Sequence, residues 1–217
     1  MSRDSHIKPW LLGWTQQLRG WAEDGSLLAA AQQALLLEES PQQLVELLDQ
    51  WGASDFSALP AIETLSRQDI AGARGAYVED LSQIFLNQEW LAEASDQEIA
   101  AVLTEELGHH LDAVLNDFDT PGDEGELFAE LLIHGELSDQ SMAALSQQSD
   151  LITILADGQF WQAEASSTWQ QVGSDIDGEA AGDESGSSVS ISSDGNVVAI
   201  GAFRNSSNRG HVRVFEN

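Results

Sequence analysis

Apolar residues in the first fifty positions recur at helical spacing. Leu and Trp follow one another every three or four residues from Trp10 to Trp21, and a second apolar series extends from Leu27 to Leu36. This period predicts two helices, which Gly25 and its polar neighbours separate. We interpret the tryptophan stripe as core or interface packing, because such a stripe more often fills a core than it lines a ligand site.

A third helix is predicted over 41–51, with Ser40 as its N-cap and a proline directly after the cap. Beyond this helix the apolar period changes. The segment 59–65 is typical of a strand, and the apolar runs at 76–78 and 83–87 flank a short polar stretch. Two such runs around a polar stretch predict a β-hairpin.

Helical spacing returns after the hairpin. Ser95 and Glu98 form the capping-box pattern that begins a helix, and the apolar positions continue to about Asn116. A Thr-Pro-Gly-Asp turn at 120–123 separates this helix from another, which contains the apolar residues of 127–133. The remaining predicted elements are a helix over 138–147 and a short apolar run at 151–155.

The composition changes after Ala165, where Ser, Gly and Asp become frequent. The chain thus divides into an N-terminal helical region, 1–57, a mixed region, 58–165, and an all-β segment, 166–217. We predict an α+β fold that is mainly helical with a small sheet, followed by the all-β segment. Its predicted strands lie at 169–172, 188–191, 197–200 and 211–215.

The excess of acidic over basic residues limits the kinds of molecule that this protein is expected to bind. The 217 residues contain 37 acidic and 8 basic side chains, which gives a formal net charge of −29. Such a field disfavours nucleic acid and anionic membranes as partners, and it attracts divalent cations. The sequence has no cysteine and no apolar run of the ~20 residues that a membrane span needs. A metal ion would therefore be bound by His, Asp, Glu or carbonyl oxygen.

One stripe of the helix that begins at Ser95 combines residue types that bind metals. Glu105, His109 and Asp112 are spaced i, i+4 and i+7, so they share one helical face. Glu106 lies about 100° round from Glu105. Two ligands one turn apart, with a glutamate beside the first, form the arrangement that activates water in zincin-type sites. A glycine at 108 keeps the position before His109 free of bulk.

A third protein ligand is expected from the following helix. That helix offers Asp123, Glu124 and Glu126. Glu124 lies fifteen residues beyond His109, a separation that suits a helix, a turn and a returning helix whose first turn faces the metal. Three protein ligands and an open position would make the site catalytic rather than structural.

Three further side chains have two interpretations each. Asp112 is either a fourth ligand or a carboxylate that orients His109, and we favour the second. His110 lies off the ligand stripe, either beside the ligands or at the surface. His134, on the next helix, is interpreted as a structural histidine rather than a ligand.

Five motifs stand in order along the middle of the chain: L-P-A-I at 59–62, G-A-Y at 75–77, I-F-L at 84–86, E-E-L-G-H-H-L-D at 105–112 and P-G-D-E-G at 121–125. With these motifs, residues 59–137 resemble a group of zincin-like domains in large exported proteins of cyanobacteria and marine bacteria. The resemblance implies a zincin-like fold, with Glu105, His109 and Glu124 as metal ligands and Glu106 as the general base. It also implies that the outer strand of the hairpin aligns an extended peptide by β-augmentation.

Glu105 stands where the common H-E-x-x-H pattern has its first histidine. A carboxylate ligand lowers the effective charge of the metal, so water at the metal is less acidic than with two histidines. We expect Zn²⁺ as the first candidate, with Mn²⁺ or Ca²⁺ as harder alternatives. Metal binding is therefore a firmer expectation than proteolysis.

Most of 168–217 resembles an FG-GAP-like β-propeller repeat. One blade cannot close a propeller, because each blade buries its faces against its neighbours. Either the chain is a fragment of a longer protein or this segment is a marginal sheet that rests on the helical domain, and we favour the fragment. The alternating Asp175 and Asp177 indicate either a calcium site or a flexible acidic linker. The motifs are W-Q-Q-V-G at 169–173, D-I-D-G at 175–178, G-D-E-S-G at 182–186, V-S-I-S-S-D-G at 189–195, V-A-I-G-A at 198–202 and G-H-V-R-V-F at 210–215.

Two functional hypotheses follow. The first is a metal-dependent peptidase domain, in which Glu106 deprotonates the water that attacks a peptide or protein substrate. The second is a non-catalytic adhesion or extracellular matrix protein whose acidic sites bind calcium. Both imply a secreted or cell-surface location. The first twelve residues do not resemble a signal peptide, so export would use another route.

Overall fold

The computed structural model describes residues 8–147, 149–166, 180, 182–192, 197–205 and 209–216. The chain divides into two compact units, Met1–Thr168 and Trp169–Asn217. Within the described ranges, seven α-helices and two small sheets give a mixed α/β architecture. No helix in these ranges combines the length and the apolar composition that a membrane span requires.

Three helices come first in the chain. Gly25 separates the first two as predicted, because its φ of 84° lies in the left-handed region that glycine adopts without strain. The third helix begins one residue later than predicted. Pro41 is its N-cap with an extended backbone, ψ 142°, and no side chain caps the helix, so the prediction for Ser40 is wrong. The helices are Pro9–Asp24 (α1), Ser26–Ala34 (α2) and Gln42–Gly52 (α3).

The first unit contains one five-stranded sheet, to which two separate parts of its sequence contribute strands. Its strands are Ala61–Leu65 (β1), Gly75–Val78 (β2), Gln83–Asn87 (β3), Leu151–Ala156 (β4) and Gln159–Glu164 (β5), in the order β1-β3-β2-β5-β4. The predicted hairpin is confirmed as β2 and β3, which are antiparallel. β1 pairs in parallel beside β3, and β5 pairs beside β2, where Tyr77 lies opposite Glu164. Neither strand of the hairpin is an edge strand, so the expectation of an outer strand that aligns a peptide is wrong.

The last two strands of this sheet form a second hairpin. Six residue pairs join β4 to β5, from Leu151 with Glu164 to Ala156 with Gln159. Asp157 and Gly158 form the two-residue turn with φ values of 50° and 75°, as turns that match the twist of the strands require. The sequence analysis identified only the apolar run at 151–155. This hairpin covers the side of β2 that would otherwise be open.

α5 is the central helix of the first unit. It extends over Asp96–Leu115, and every residue from Val102 to Asp112 is buried. The predicted capping box of Ser95 and Glu98 is confirmed by both of its hydrogen bonds. A helix that is buried on all sides forces its polar side chains to find partners inside the protein. The other helices are Gln88–Leu91 (α4), Glu124–His134 (α6) and Asp139–Leu145 (α7).

The second unit contains a three-stranded antiparallel sheet. Its strands are Ser185–Ile191 (β6), Val197–Ala202 (β7) and His211–Glu216 (β8), in chain order. The strands predicted at 188–191, 197–200 and 211–215 are therefore confirmed. The strand predicted at 169–172, and the acidic stretch with Asp175 and Asp177, lie outside the described residues.

Candidate metal centre

One buried imidazole lies among several carboxylates. His109, on α5, is 0% exposed. Its Nδ1 lies 2.7 Å from Oε1 of Glu124, at the start of α6, and 3.4 Å from Oε2 of Glu164, at the end of β5. Its Nε2 lies 3.4 Å from Oδ2 of Asp150, just before β4. Carboxylates from three later parts of the chain thus lie near the ring, two of them near Nδ1 and one near Nε2.

Two groups of three side chains around His109 have the geometry to hold a metal ion. Glu105, His109 and Asp123 form the first group, and His109, Glu124 and Asp150 form the second. In each group, one possible ligand atom per residue lies within 4.8 Å of the others. The three predicted ligands, Glu105, His109 and Glu124, are therefore divided between two groups that share the histidine.

Three atoms at this centre are buried and make no hydrogen bond. They are Oε2 of Glu106, Nε2 of His109 and Oδ2 of Asp150. A buried polar atom without a partner costs about 1–3 kcal/mol, more if it is charged. Buried charges in proteins are usually paired or bind metals. The unpartnered imidazole nitrogen and the oxygens around it therefore fit a divalent cation as the missing partner.

Glycines permit the close approach of the two helices that supply these ligands. A Cβ at Gly108 on α5 would lie 2.8 Å from the Cα of Gly125 on α6. A Cβ at Gly125 would lie 2.5 Å from Cε1 of His109. Real Cβ atoms do not approach other heavy atoms so closely. The expectation that position 108 must be free of bulk is confirmed, and Gly125 leaves the space that the imidazole occupies.

Glu106 is held by the end of the second hairpin. Its Oε1 accepts hydrogen bonds from the Ser166 backbone N–H at 3.2 Å and from the Ser166 Oγ at 2.6 Å. A Cβ at Gly75, on β2, would lie 2.6 Å from the same oxygen. Burial raises the pKa of Glu106 to about 7, near the value that suits a general base at neutral pH. Ser166 thus fixes one oxygen and leaves Oε2 as the free one.

The pKa values show the electrostatic cost of this arrangement. Burial, then the charges of Glu106 and Asp123, raise the pKa of Glu105 well above its usual range. Burial raises the pKa of Asp150 to about 6 and that of Glu164 to about 8. Burial alone would lower the pKa of His109, but the hydrogen bond and charge of Glu124 raise it well above its usual range. Without a cation, the cluster must retain protons.

Asp112 stabilises the loop between the two ligand helices. Its carboxylate accepts hydrogen bonds from the Thr120 N–H at 2.9 Å, the Thr120 Oγ1 at 2.6 Å and the Asn116 Nδ2 at 2.6 Å. Glu124, rather than Asp112, hydrogen-bonds His109. The predicted role of orienting His109 therefore belongs to Glu124, and Asp112 positions the start of α6 through its loop.

The two other histidines of this region have different surroundings. His110 is buried beside the ligand stripe, where its Nδ1 lies 3.0 Å from the hydroxyl of Tyr77 on β2. Burial lowers the pKa of His110 to about 4. The side chain of His134 is 61% exposed at the end of α6. The interpretation of His134 as a structural histidine is wrong, because its side chain is exposed at the C-terminal end of α6, beyond Leu132, which still packs in the core.

Asp150, Glu164 and Ser166 were not among the predicted site residues. All three flank or end the second hairpin, far along the chain from α5. The Asp157-Gly158 pair is the strongest short-range pattern for a hairpin. Recognising it would have predicted β5 and shown that Asp150 and Glu164 lie beside each other at the open end of that hairpin.

A small cavity of about 50 Å³ adjoins the centre on the side of Glu164. Asp112 and Asp119 also line it, and they form a third acidic group with Glu124. Its volume suits a water molecule or an ion rather than a peptide.

Comparison with protein-family models, with curated proteins and with solved structures gives no significant match to this chain. The zincin-like and FG-GAP-like resemblances therefore rest on the motifs quoted above.

Proposed function

We propose that the first unit binds a divalent metal ion at His109 and uses it to hydrolyse peptide bonds, as a zincin-like domain does. The observation that supports this most is the buried, unpartnered Nε2 of His109 facing Oδ2 of Asp150. A ring nitrogen among carboxylates favours a transition-metal ion such as Zn²⁺ or Mn²⁺, because Ca²⁺ is usually bound by oxygen alone.

The ligands in this proposal are Nε2 of His109 and the carboxylate of Asp150, with Glu105 and Asp123 as further carboxylate ligands. Glu124 retains its hydrogen bond to Nδ1 and thereby directs Nε2 toward the metal. A bound metal ion supplies Lewis acidity that polarises a carbonyl and makes water more acidic. Compared with the set that the resemblance implies, Asp123 and Asp150 are added, and Glu124 orients His109 instead of binding the metal.

Glu106 is the general base of the proposal. Its Oε1 is fixed by Ser166, so proton transfer from water falls to Oε2, which makes no hydrogen bond. A carboxylate with a pKa of about 7 accepts a proton from water in the attack and can release it to the leaving amine. The proton thus moves from the nucleophile to the leaving group through one side chain.

Metal binding is tested first. The full chain, freed of metal with a chelator, is titrated with Zn²⁺, Mn²⁺ and Ca²⁺ by calorimetry. We expect one tight transition-metal site that is lost in His109→Gln and weakened at least about tenfold in Asp150→Asn. His134→Gln is the matched control, since its exposed imidazole lies outside the centre. A site that survives His109→Gln, or that disappears in His134→Gln, contradicts the proposal.

Catalysis is tested separately with Glu106→Gln. This change keeps the side-chain volume and the hydrogen bonds from Ser166, so metal binding should remain. Hydrolysis of a fluorescently labelled unfolded protein should fall by about 10²–10⁴-fold. Equal rates in Glu106→Gln and the unchanged chain would remove Glu106 as the base.

A second candidate function is a structural cation site without catalysis. It is favoured by the burial of His109 and Glu106 and by the interior position of the β2–β3 hairpin. A chain that binds metal tightly, gains stability from it and hydrolyses nothing would support this candidate. The calcium-binding adhesion hypothesis is its variant, and it requires that Ca²⁺ binds more tightly than Zn²⁺ or Mn²⁺.

A further inference from the structure

A groove on the helical side of the first unit is separate from the residues of the metal centre. Its volume is about 720 Å³, and α1, the start of α5 and the end of α6 line it. This size lies within the range of sites that bind small ligands or short peptide segments. Its walls include Trp10 and Trp21, the two half-buried members of the tryptophan stripe on α1.

The floor of the groove is rigid. Trp14 is 1% exposed, and its Nε1 donates a hydrogen bond of 3.0 Å to Oγ1 of Thr104 on α5. The Thr104 hydroxyl in turn donates to the backbone oxygen of Ala100 at 2.7 Å. Side chains held in this way need no ordering when a ligand binds, so little conformational entropy is lost. Trp14 is thus core packing, as the sequence predicts, and supports the groove between the other two tryptophans.

The groove is acidic at its rim. Asp96, Glu98 and Glu130 line it, and its described lining includes no Lys or Arg. The last turn of α6, which ends at His134, also borders the groove, and the C-terminus of a helix bears partial negative charge. The N-terminus of α5 also lines the groove with partial positive charge, but Ser95 and Glu98 cap it. Asp96, Glu130 and the end of α6 therefore remain to attract a cation.

The tryptophan faces suit the same kind of group. Nζ of Lys8 lies 5.3 Å from the centre of the Trp10 ring, so this ring already faces a cation from its own chain. Lys and Arg side chains combine a cationic head with an apolar stem, and the stem packs on apolar surface while the head remains near water or carboxylates. Aromatic rings and carboxylates that line the same groove match the two parts of such a side chain.

We propose that this groove binds a basic, apolar peptide segment of another protein, with a Lys or Arg side chain between Trp21 and Glu130 and an apolar neighbour against the floor. The inference does not depend on the proposed metal centre. It assigns to Trp10 and Trp21 a role in binding a partner.

The probe for the test is an acetylated and amidated hexapeptide of alternating leucine and arginine, titrated into the full chain and followed by calorimetry. Two peptides serve as comparisons: one with glutamate in place of arginine, and one with serine in place of leucine. We expect the leucine–arginine peptide to bind at least about tenfold more tightly than either. Equal binding of the serine–arginine peptide would show attraction by net charge alone and would overturn the proposal. Equal binding of the leucine–glutamate peptide would show that the carboxylates at the rim do not select a basic segment, and it would also overturn the proposal.

Matched variants locate the binding. Trp21→Leu and Glu130→Gln should each weaken the leucine–arginine peptide by at least about threefold, because each removes one part of the match. Trp161→Leu and Glu63→Gln, which change the same residue types outside the groove lining, should leave the affinity unchanged. Equal weakening by Glu63→Gln would refute the groove as the site. Self-association that Trp21→Leu abolishes, without peptide binding, would make a second copy of the chain the occupant and also refute it.

Discussion

At the scale of single residues, the imidazole of His109 is positioned by what its neighbours lack. Gly125 presents no side chain toward the ring, and Gly108 presents none toward α6. The hydrogen bond from Nδ1 to Glu124 then fixes the orientation of the ring. Two absent Cβ atoms and one carboxylate thus determine where Nε2 points.

Gly125→Ala should therefore displace His109. The added Cβ would meet the imidazole ring, whose Cε1 lies 2.5 Å from the position it would occupy, and overpacking of this kind costs about 1–3 kcal/mol. We expect a lower free energy of unfolding in urea and a weaker metal titration than in the unchanged chain. Gly20→Ala on α1 is the control, because its Cβ would meet nothing within 4 Å. That change should stabilise the helix by about 0.5–1 kcal/mol. A fully stable Gly125→Ala chain with unchanged metal affinity would contradict the close contact.

At the scale of secondary structure, a single buried hydrogen bond connects α1 to α5. It joins Trp14 to Thr104 across ninety positions of the chain. α5 is the helix of the metal centre, and Thr104 precedes Glu105 directly. The attachment of α1 thus stabilises the segment of α5 that begins the ligand stripe.

Thr104→Val should leave the indole N–H of Trp14 buried without a partner. Valine has nearly the shape of threonine, so the loss is mainly that of the hydrogen bond. We expect the free energy of unfolding, measured in urea, to fall by about 1–3 kcal/mol. Thr15→Val on α1 is the control, since its hydroxyl bonds only to carbonyls of its own helix near the surface. Equal losses in the two variants would show that the link between the helices is not what stabilises them.

The six longer helices and the first hairpin could be predicted because their patterns are local, whereas the four-residue α4 was not predicted. The period from Trp10 to Trp21 and the capping box at Ser95 depend only on nearby residues. The parallel pairing of β1 with β3 and the covering of β2 by β5 depend on contacts between distant segments, which spacing along the chain does not encode. The candidate site divides in the same way. Glu105 and His109 follow from helical spacing, whereas Asp150 and Glu164 become neighbours of His109 only through the fold.

At the scale of the whole molecule, buried carboxylates make stability depend on pH and on cations. Burial raises the pKa of Glu106 and Glu126 to about 7, of Asp150 to about 6 and of Glu164 to about 8. Between the unfolded values near 4–4.5 and these values, the folded protein retains protons that the unfolded chain has released. The free energy of unfolding therefore falls as pH rises through this window. His110, with a lowered pKa, acts in the opposite direction and loses its contribution as pH falls from about 6.5 to about 4.

We expect the metal-free chain to be more stable at pH 5.5 than at pH 8. A bound divalent cation replaces the retained protons, so Zn²⁺ or Mn²⁺ should raise the melting temperature more at pH 8 than at pH 5.5. Thermal unfolding with chelator and with each metal, at both pH values, measures the two effects. If the chelated chain melts at the same temperature at both pH values, the carboxylates of the centre do not bear the protons inferred here.

The second hairpin also affects the order in which the centre forms during synthesis. α5 and α6 leave the ribosome before Asp150, Glu164 and Ser166, because synthesis proceeds from the N-terminus. A newly made chain thus exposes His109 and Glu124 until the hairpin docks beside β2. A cation bound in that interval is enclosed when the sheet is completed, whereas one that arrives later must wait for the hairpin to open. At saturating metal the rate of loading a finished chain would then equal the rate of that opening, whereas at low metal concentration the rate would rise with the metal.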